Sequence, residues 1–94
     1  MFTGIISGVG EIIEMTPRGE LSRLKLASPY DAKTIPLGAS IANAGVCLTV
    51  VGVEPHEAGS TIAFDVGAET LRVTTLGQWR AGGHLNLERA HELN

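Results

Sequence analysis

Aromatic side chains are scarce in this 94-residue chain: Phe2, Tyr30, Phe64 and Trp79 make up 4% of it. With so few rings, a core has to be built mainly from Ile, Leu, Val and Ala. Cysteine is scarcer still. Cys47 stands alone, which excludes an internal disulfide and any Cys-based metal cluster. Runs of Lys or Arg are missing and the formal net charge is −3, so nothing marks a nucleic-acid footprint. No apolar stretch approaches the ~18 residues of a membrane span. The opening Met1-Phe2-Thr3-Gly4-Ile5-Ile6 has neither a basic flank nor a cleavage-like site and does not read as a signal peptide. The expectation is a soluble, cytoplasmic chain with no nucleic-acid or membrane partner. Its length lies just under the ~100–150-residue domain mode, so residues 1–94 are expected to form one domain with one modest core.

What is present is ordinary globular material, 44% hydrophobic and 18% charged, with 12 Gly and 4 Pro marking many turns. The dominant signal is period two. Leu24-Lys25-Leu26, Leu85-Asn86-Leu87-Glu88 and Thr61-Ile62-Ala63-Phe64-Asp65-Val66 each split into an apolar and a polar face. Val46 to Val53 is apolar almost throughout, as expected of a strand covered on both sides. Phe2 to Gly8 and then Val9 to Met15 read as one long bent strand or two, with Gly8 and Gly10 marking a bulge or corner. Turn signals fall at Thr16-Pro17-Arg18-Gly19, Ala44-Gly45, Glu54 to Ser60 and Leu76-Gly77. About six short strands so spaced predict an all-β fold, a closed barrel or a sandwich. A barrel is the more economical answer, because closure removes exposed edges.

Two stretches break the β pattern. Ser28-Pro29-Tyr30-Asp31-Ala32-Lys33 suits one helical turn, with Ser28 as N-cap and Pro29 at the first helical position. Gly67-Ala68-Glu69-Thr70-Leu71-Arg72 predicts a second, with Glu69 and Arg72 spaced for an i,i+3 pair.

Few residues invite chemistry. Gly8-Val9-Gly10 lacks both the third Gly and the following helix of a nucleotide loop. His56, His84 and His91 stand far apart without metal-ligand spacing, so no metal site is expected. Trp79 reads as a barrel plug. The informative stretch is Ser40 to Val50, two strands joined at Ala44-Gly45. Alternation puts Cys47 and Thr49 on one face and Val46, Leu48 and Val50 on the other, while Ser40, Ala42 and Ala44 share a face. Small and hydroxyl side chains of that kind make a shallow shelf able to take a flat polar heterocycle. The residues alone favour the plainer reading, a buried Cys acting as a small hydrophobe and a Thr chosen for strand propensity. Asp65-Val66-Gly67-Ala68-Glu69-Thr70 passes from strand to helical turn. Amides at such a corner can meet a carbonyl-rich ligand edge, or the corner can simply carry a capping carboxylate.

Taken in order, Met1 to Ile6, Gly38 to Ala42, Gly45-Val46-Cys47-Leu48-Thr49-Val50, Glu69 to Arg72 and Leu85 to Ala90 resemble riboflavin synthase of the alpha-chain type, specifically its N-terminal lumazine-binding domain. The resemblance covers essentially the whole chain. It implies a six-stranded antiparallel Greek-key barrel with one or two short helical turns, one of two similar barrels in tandem. Each barrel of the family holds one 6,7-dimethyl-8-ribityllumazine. The two-domain enzyme moves a four-carbon unit between two lumazines, giving riboflavin and a ribitylamino-pyrimidinedione, with no metal or organic cofactor. The family assembles as a trimer, and for this single barrel the expectation is a homo-oligomer such as a homodimer. Matching motifs carry the pocket to Gly4, Ile5 and Ile6, to Cys47, Leu48 and Thr49, and to Asp65, Val66, Gly67, Ala68, Glu69 and Thr70. Phe2, Thr3, Ser40 and Ala42 stand behind them. Cys47 is the expected reactive or hydrogen-bonding group. Alternative readings are a non-catalytic lumazine or flavin carrier and a structural domain that pairs with itself.

Two departures from the family pattern bear on the structure. The family's β-turn carries Asn before Gly where this chain has Ala44, and Ala tolerates a type I′ turn poorly. The expectation is therefore a type II turn over Asn43-Ala44-Gly45-Val46. Gly82-Gly83-His84 precedes the last strand and is distinct from the family signature that opens the second domain.

Overall fold

The period-two segments fold as six strands: β1 (Gly8–Arg18), β2 (Leu21–Ser28), β3 (Ser40–Asn43), β4 (Val46–His56), β5 (Gly59–Gly67) and β6 (His84–Arg89). The computed structural model describes residues 8–73 and 79–89. Expectations placed on Met1 to Ser7, on Leu76-Gly77 and on His91 lie outside these residues. All pairings are antiparallel, and the order β1-β2-β5-β4-β3-β6 closes into a barrel. β2 and β3, and likewise β5 and β6, are consecutive in the chain but not neighbours in the ring, which is a Greek-key order.

Alternation explains the core. The inward residues Leu24 and Leu26 of β2, Ile62 and Phe64 of β5, and Leu87 of β6 are fully buried. Ile41 and Val50 lie beside them, and the partly buried Trp79 packs against this cluster. Burying each such side chain contributes about 1.5–3 kcal/mol, so aliphatic residues around Phe64 can hold a barrel this small.

Several local expectations change. β4 alternates rather than being covered on both sides: Leu48 and Val50 are buried, while Cys47, Thr49 and Val51 are exposed. The reason is topological, since a barrel strand has one interior face. β1 continues through Thr16, Pro17 and Arg18, and the turn is Gly19-Glu20. Pro17 is tolerated because β6 pairs only with Gly8–Glu11, so the β6-side edge of β1 has no registered partner at Pro17. The β1 irregularity lies between Ile12 and Glu14, not at Gly8 or Gly10. β4 also runs on to His56, leaving Glu57-Ala58 as the turn before β5.

The first helical segment is a short 3-10 turn, Ala32–Thr34. Its N-cap is Asp31, whose Oδ1 accepts from the Lys33 amide at 3.0 Å, and not Ser28. Ser28 instead ends β2 opposite Ser60, and the two buried hydroxyls lie 2.7 Å apart. Arg89, at the end of β6, ties this segment down: its Nη1 donates to Thr34 Oγ1 at 3.0 Å and its guanidinium lies 5.0 Å from the Tyr30 ring centre. The second segment is helical as expected, α1 (Ala68–Val73), with the Arg72–Glu69 pair formed. No helix among the described residues is long and apolar enough to cross a membrane.

Candidate functional site

One feature of the sheet positions a site. The β4–β5 ladder runs from His56↔Gly59 to Val50↔Phe64 and is interrupted by a register shift between Val50 and Gly52. Past Val50↔Phe64 the two strands take different partners. Val46 to Thr49 register with β3, and Asp65 to Gly67 register with β2. The barrel wall therefore opens between the first four residues of β4 and the last three of β5.

Backbone geometry fills that opening with polar groups. The Val50 amide donates to Ala39 O at 2.8 Å and Val50 O accepts from the Gly38 amide at 2.9 Å. Both main-chain groups of Val50 thus face away from β5. Successive residues of a strand alternate the direction of N–H and C=O, so those of Thr49 and Cys47 turn toward β5. The same alternation on β5 turns Asp65 and Gly67 toward β4. The floor is apolar, because Leu48, Val50, Phe64 and Val66 point inward and are buried. Cys47 and Thr49 side chains stand exposed on the outer rim. A Cβ built on Gly67 would meet nothing within 4 Å, so the rim is open there too. Cross-strand register sets Ser40 beside Thr49 and Ala42 beside Cys47 on the same face. This is the shelf expected from alternation, and it excludes the reading of Cys47 as a buried hydrophobe.

The Asp65 to Thr70 corner divides into parts. The Asp65 carboxylate does not cap α1; it accepts from Arg23 Nε at 2.6 Å across β2. Ala68 and Glu69 are exposed, Thr70 is half-buried, and Glu69 is committed to Arg72. The structure brings Cys47, Thr49, Asp65 and Gly67 to the rim and Leu48 and Val66 to the floor. Gly4, Ile5, Ile6, Phe2 and Thr3 lie outside the described residues.

The turn beneath the shelf departs from expectation. Ala44 has φ 51° and Gly45 φ 87°, so both central residues are left-handed, as a type I′ turn requires. The expected type II turn is not formed. Two-residue hairpins favour the primed turns, whose twist matches the strands, and the register Asn43↔Val46 imposes one despite the Ala side chain. The Ala44 amide donates to Asn86 O at 2.8 Å, which fixes the turn against β6. Asn43 just before it is fully buried. Its Nδ2 donates to Ile41 O at 2.9 Å, and its Oδ1 has no partner among the described residues.

One functional candidate escaped sequence reasoning, Arg23. Alternation places it outward, but only the β2–β5 register reveals its partner. A hollow of about 310 Å³ also lies beside Arg89, Ile35 and Ser40. Arg89 is already engaged there by Thr34 and Tyr30, whereas the opening presents main-chain groups with no registered partner strand among the described residues. The opening is therefore the better site. Among the described residues, no group of three His, Cys, Asp or Glu side chains could hold a metal ion.

The family model for the lumazine binding domain matches residues 3–90. The chain is 45% identical to the riboflavin synthase of Brucella abortus (strain 2308) over 95 residues, covering 99% of this chain and 46% of that protein. It is 37% identical to the riboflavin synthase of Actinobacillus pleuropneumoniae, covering 100% of this chain and 42% of that protein. It is 34% identical to that of Escherichia coli (strain K12), covering 96% and 41%. The chain thus spans less than half the length of these relatives.

Proposed function

Because the chain belongs to the lumazine-binding domain family, we propose that it binds one 6,7-dimethyl-8-ribityllumazine or riboflavin in the β4–β5 opening, as one half of a riboflavin synthase. The observation that carries this reading is the opening itself. Main-chain donors and acceptors of Cys47, Thr49, Asp65 and Gly67 converge over an apolar floor. A pteridinedione is flat and apolar across its face and carries alternating carbonyl and imide N–H groups along one edge. It matches that arrangement better than a bulky or strongly charged ligand. The Thr49 hydroxyl and the Cys47 thiol reach the ring or its ribityl chain from the rim.

The chemistry asked of such a site is mainly placement. Two lumazines must meet face to face in fixed orientation, and holding them so supplies on the order of 7–11 kcal/mol of the barrier. The acidic methyl group of one lumazine provides the carbanion, so the protein needs little acid–base equipment. One barrel supplies one of the two ligands. A second copy, or a second barrel, supplies the other.

The experiment is titration of the 94-residue chain with riboflavin, followed by flavin fluorescence, beside a turnover assay on the lumazine. Saturable one-to-one binding with little or no turnover is the expected result. Absence of binding would overturn the reading, and rapid turnover by the monomeric chain would overturn the assignment of only half a reacting pair to one barrel. Unchanged affinity in Thr49→Val would move the ligand away from the rim of β4.

A further inference from the structure

We propose that Arg23 is a positioning residue for the ligand opening: it draws the Asp65 carboxylate onto the β2 side of β5 and so keeps the β4 side clear. The inference rests on the reading that the opening takes a pteridine.

The argument begins with the strand order. β5 lies between β2 and β4. Asp65 is the first residue of β5 beyond the end of the β4–β5 ladder, so its outward side chain stands at the mouth of the opening. On one side it has Arg23, its direct cross-strand partner on β2. On the other side, continuing the register of Val50↔Phe64, comes Thr49. The carboxylate can lean either way. The 2.6 Å contact from Arg23 Nε to Asp65 Oδ1 shows that it leans toward β2.

The other direction would interfere with a ligand in two ways. A free carboxylate is a strong acceptor and would compete for the amides that face the opening from Cys47 and Gly67. It would also set a negative charge against the carbonyl oxygens of a pteridinedione edge. Arg23 removes both effects without touching the ligand. Asp65 then serves the opening through its main chain alone. Both side chains are half-buried, 23% and 30% exposed, so solvent screening limits what the pair adds to stability.

The test uses three variants of the chain, Arg23→Gln, Arg23→Lys and the double variant R23Q/D65N, each titrated with riboflavin and each unfolded thermally. R23Q is expected to weaken riboflavin binding roughly ten-fold, within the range for directly coupled neighbours, while its unfolding midpoint stays close to that of the unsubstituted chain. R23K keeps the cation and restores most of the affinity. The double variant, which has no carboxylate to misplace, binds riboflavin more tightly than R23Q. Unchanged affinity in R23Q would overturn the proposal, as would a double variant no better than R23Q. If R23Q fails to fold, the double variant decides, because a folded double variant with strongly impaired binding also overturns it. Failure of the unsubstituted chain to bind riboflavin would overturn the ligand reading itself and this inference with it, a result distinct from all the others.

Discussion

The two ends of β5 follow opposite rules. At its start, Gly59 to Ser60 is enclosed by partners on both sides: β2 through Ser28↔Ser60 and β4 through Pro55↔Ser60 and His56↔Gly59. The Ser28 and Ser60 hydroxyls meet there in a buried contact, and a Cβ on Gly59 would fall 2.1 Å from Ser28 O. At its far end, Asp65 to Gly67 keeps its β2 partner and loses β4, and Gly67 faces open space. One strand thus carries a sealed end that holds the barrel and an open end that, on the proposed reading, receives a ligand. Close packing and ligand access are separated by less than ten residues of chain.

The sharpest way to break this contrast is to make the same substitution at both ends. Gly59→Ala combines a φ of 141° with a backbone clash, and is expected to cost on the order of 3–5 kcal/mol or prevent folding. Gly67→Ala is expected to change stability by no more than about 0.5 kcal/mol, and to show itself in riboflavin affinity instead. Urea unfolding of both variants measures the difference; equal losses would mean that the two ends are not distinct. The next effect is on binding alone. Thr49→Val removes a rim hydroxyl at nearly constant volume, and is expected to weaken riboflavin binding about five- to ten-fold, corresponding to one lost hydrogen bond of roughly 1–1.5 kcal/mol. The smallest effect is a gain. Ala44→Asn relieves a left-handed non-glycine residue and should stabilise the hairpin by about 0.5–1 kcal/mol, read as a raised thermal midpoint.

Much of the barrel was legible because inward residues of a closed sheet repeat every second position. Leu24, Leu26, Ile62, Phe64 and Leu87 could be placed in the core from alternation alone. The shelf was legible for the same reason, since Cys47 and Thr49 had to share a face. What alternation does not carry is register. Which residue lies across from Asp65, and where the β4–β5 ladder stops, depend on pairings between segments that are locally independent. The Arg23–Asp65 pair therefore came only with the structure. The Ala44 turn was misread for a related reason. Intrinsic preference favours type II there, but two flanking strands with a right-handed twist outweigh about 1–2 kcal/mol of local cost. Ser28 was misread as a helix cap because its hydroxyl had a stronger claim on it from Ser60, 32 residues away in sequence.

Closing the ring through β3 has one more consequence. In this closed ring of six strands, the start of β4 and the end of β5 have no register with each other among the described residues, and their backbones face one another across the opening. On the proposed reading, a bound pteridine edge substitutes for the missing rungs of that ladder and becomes, in effect, a piece of sheet. Occupancy should then be visible to the solvent as well as to a fluorimeter. Amide protons of Cys47 and Gly67 would exchange with deuterated water in the empty barrel and be held back in the filled one, while those of Leu24 and Phe64 register no difference.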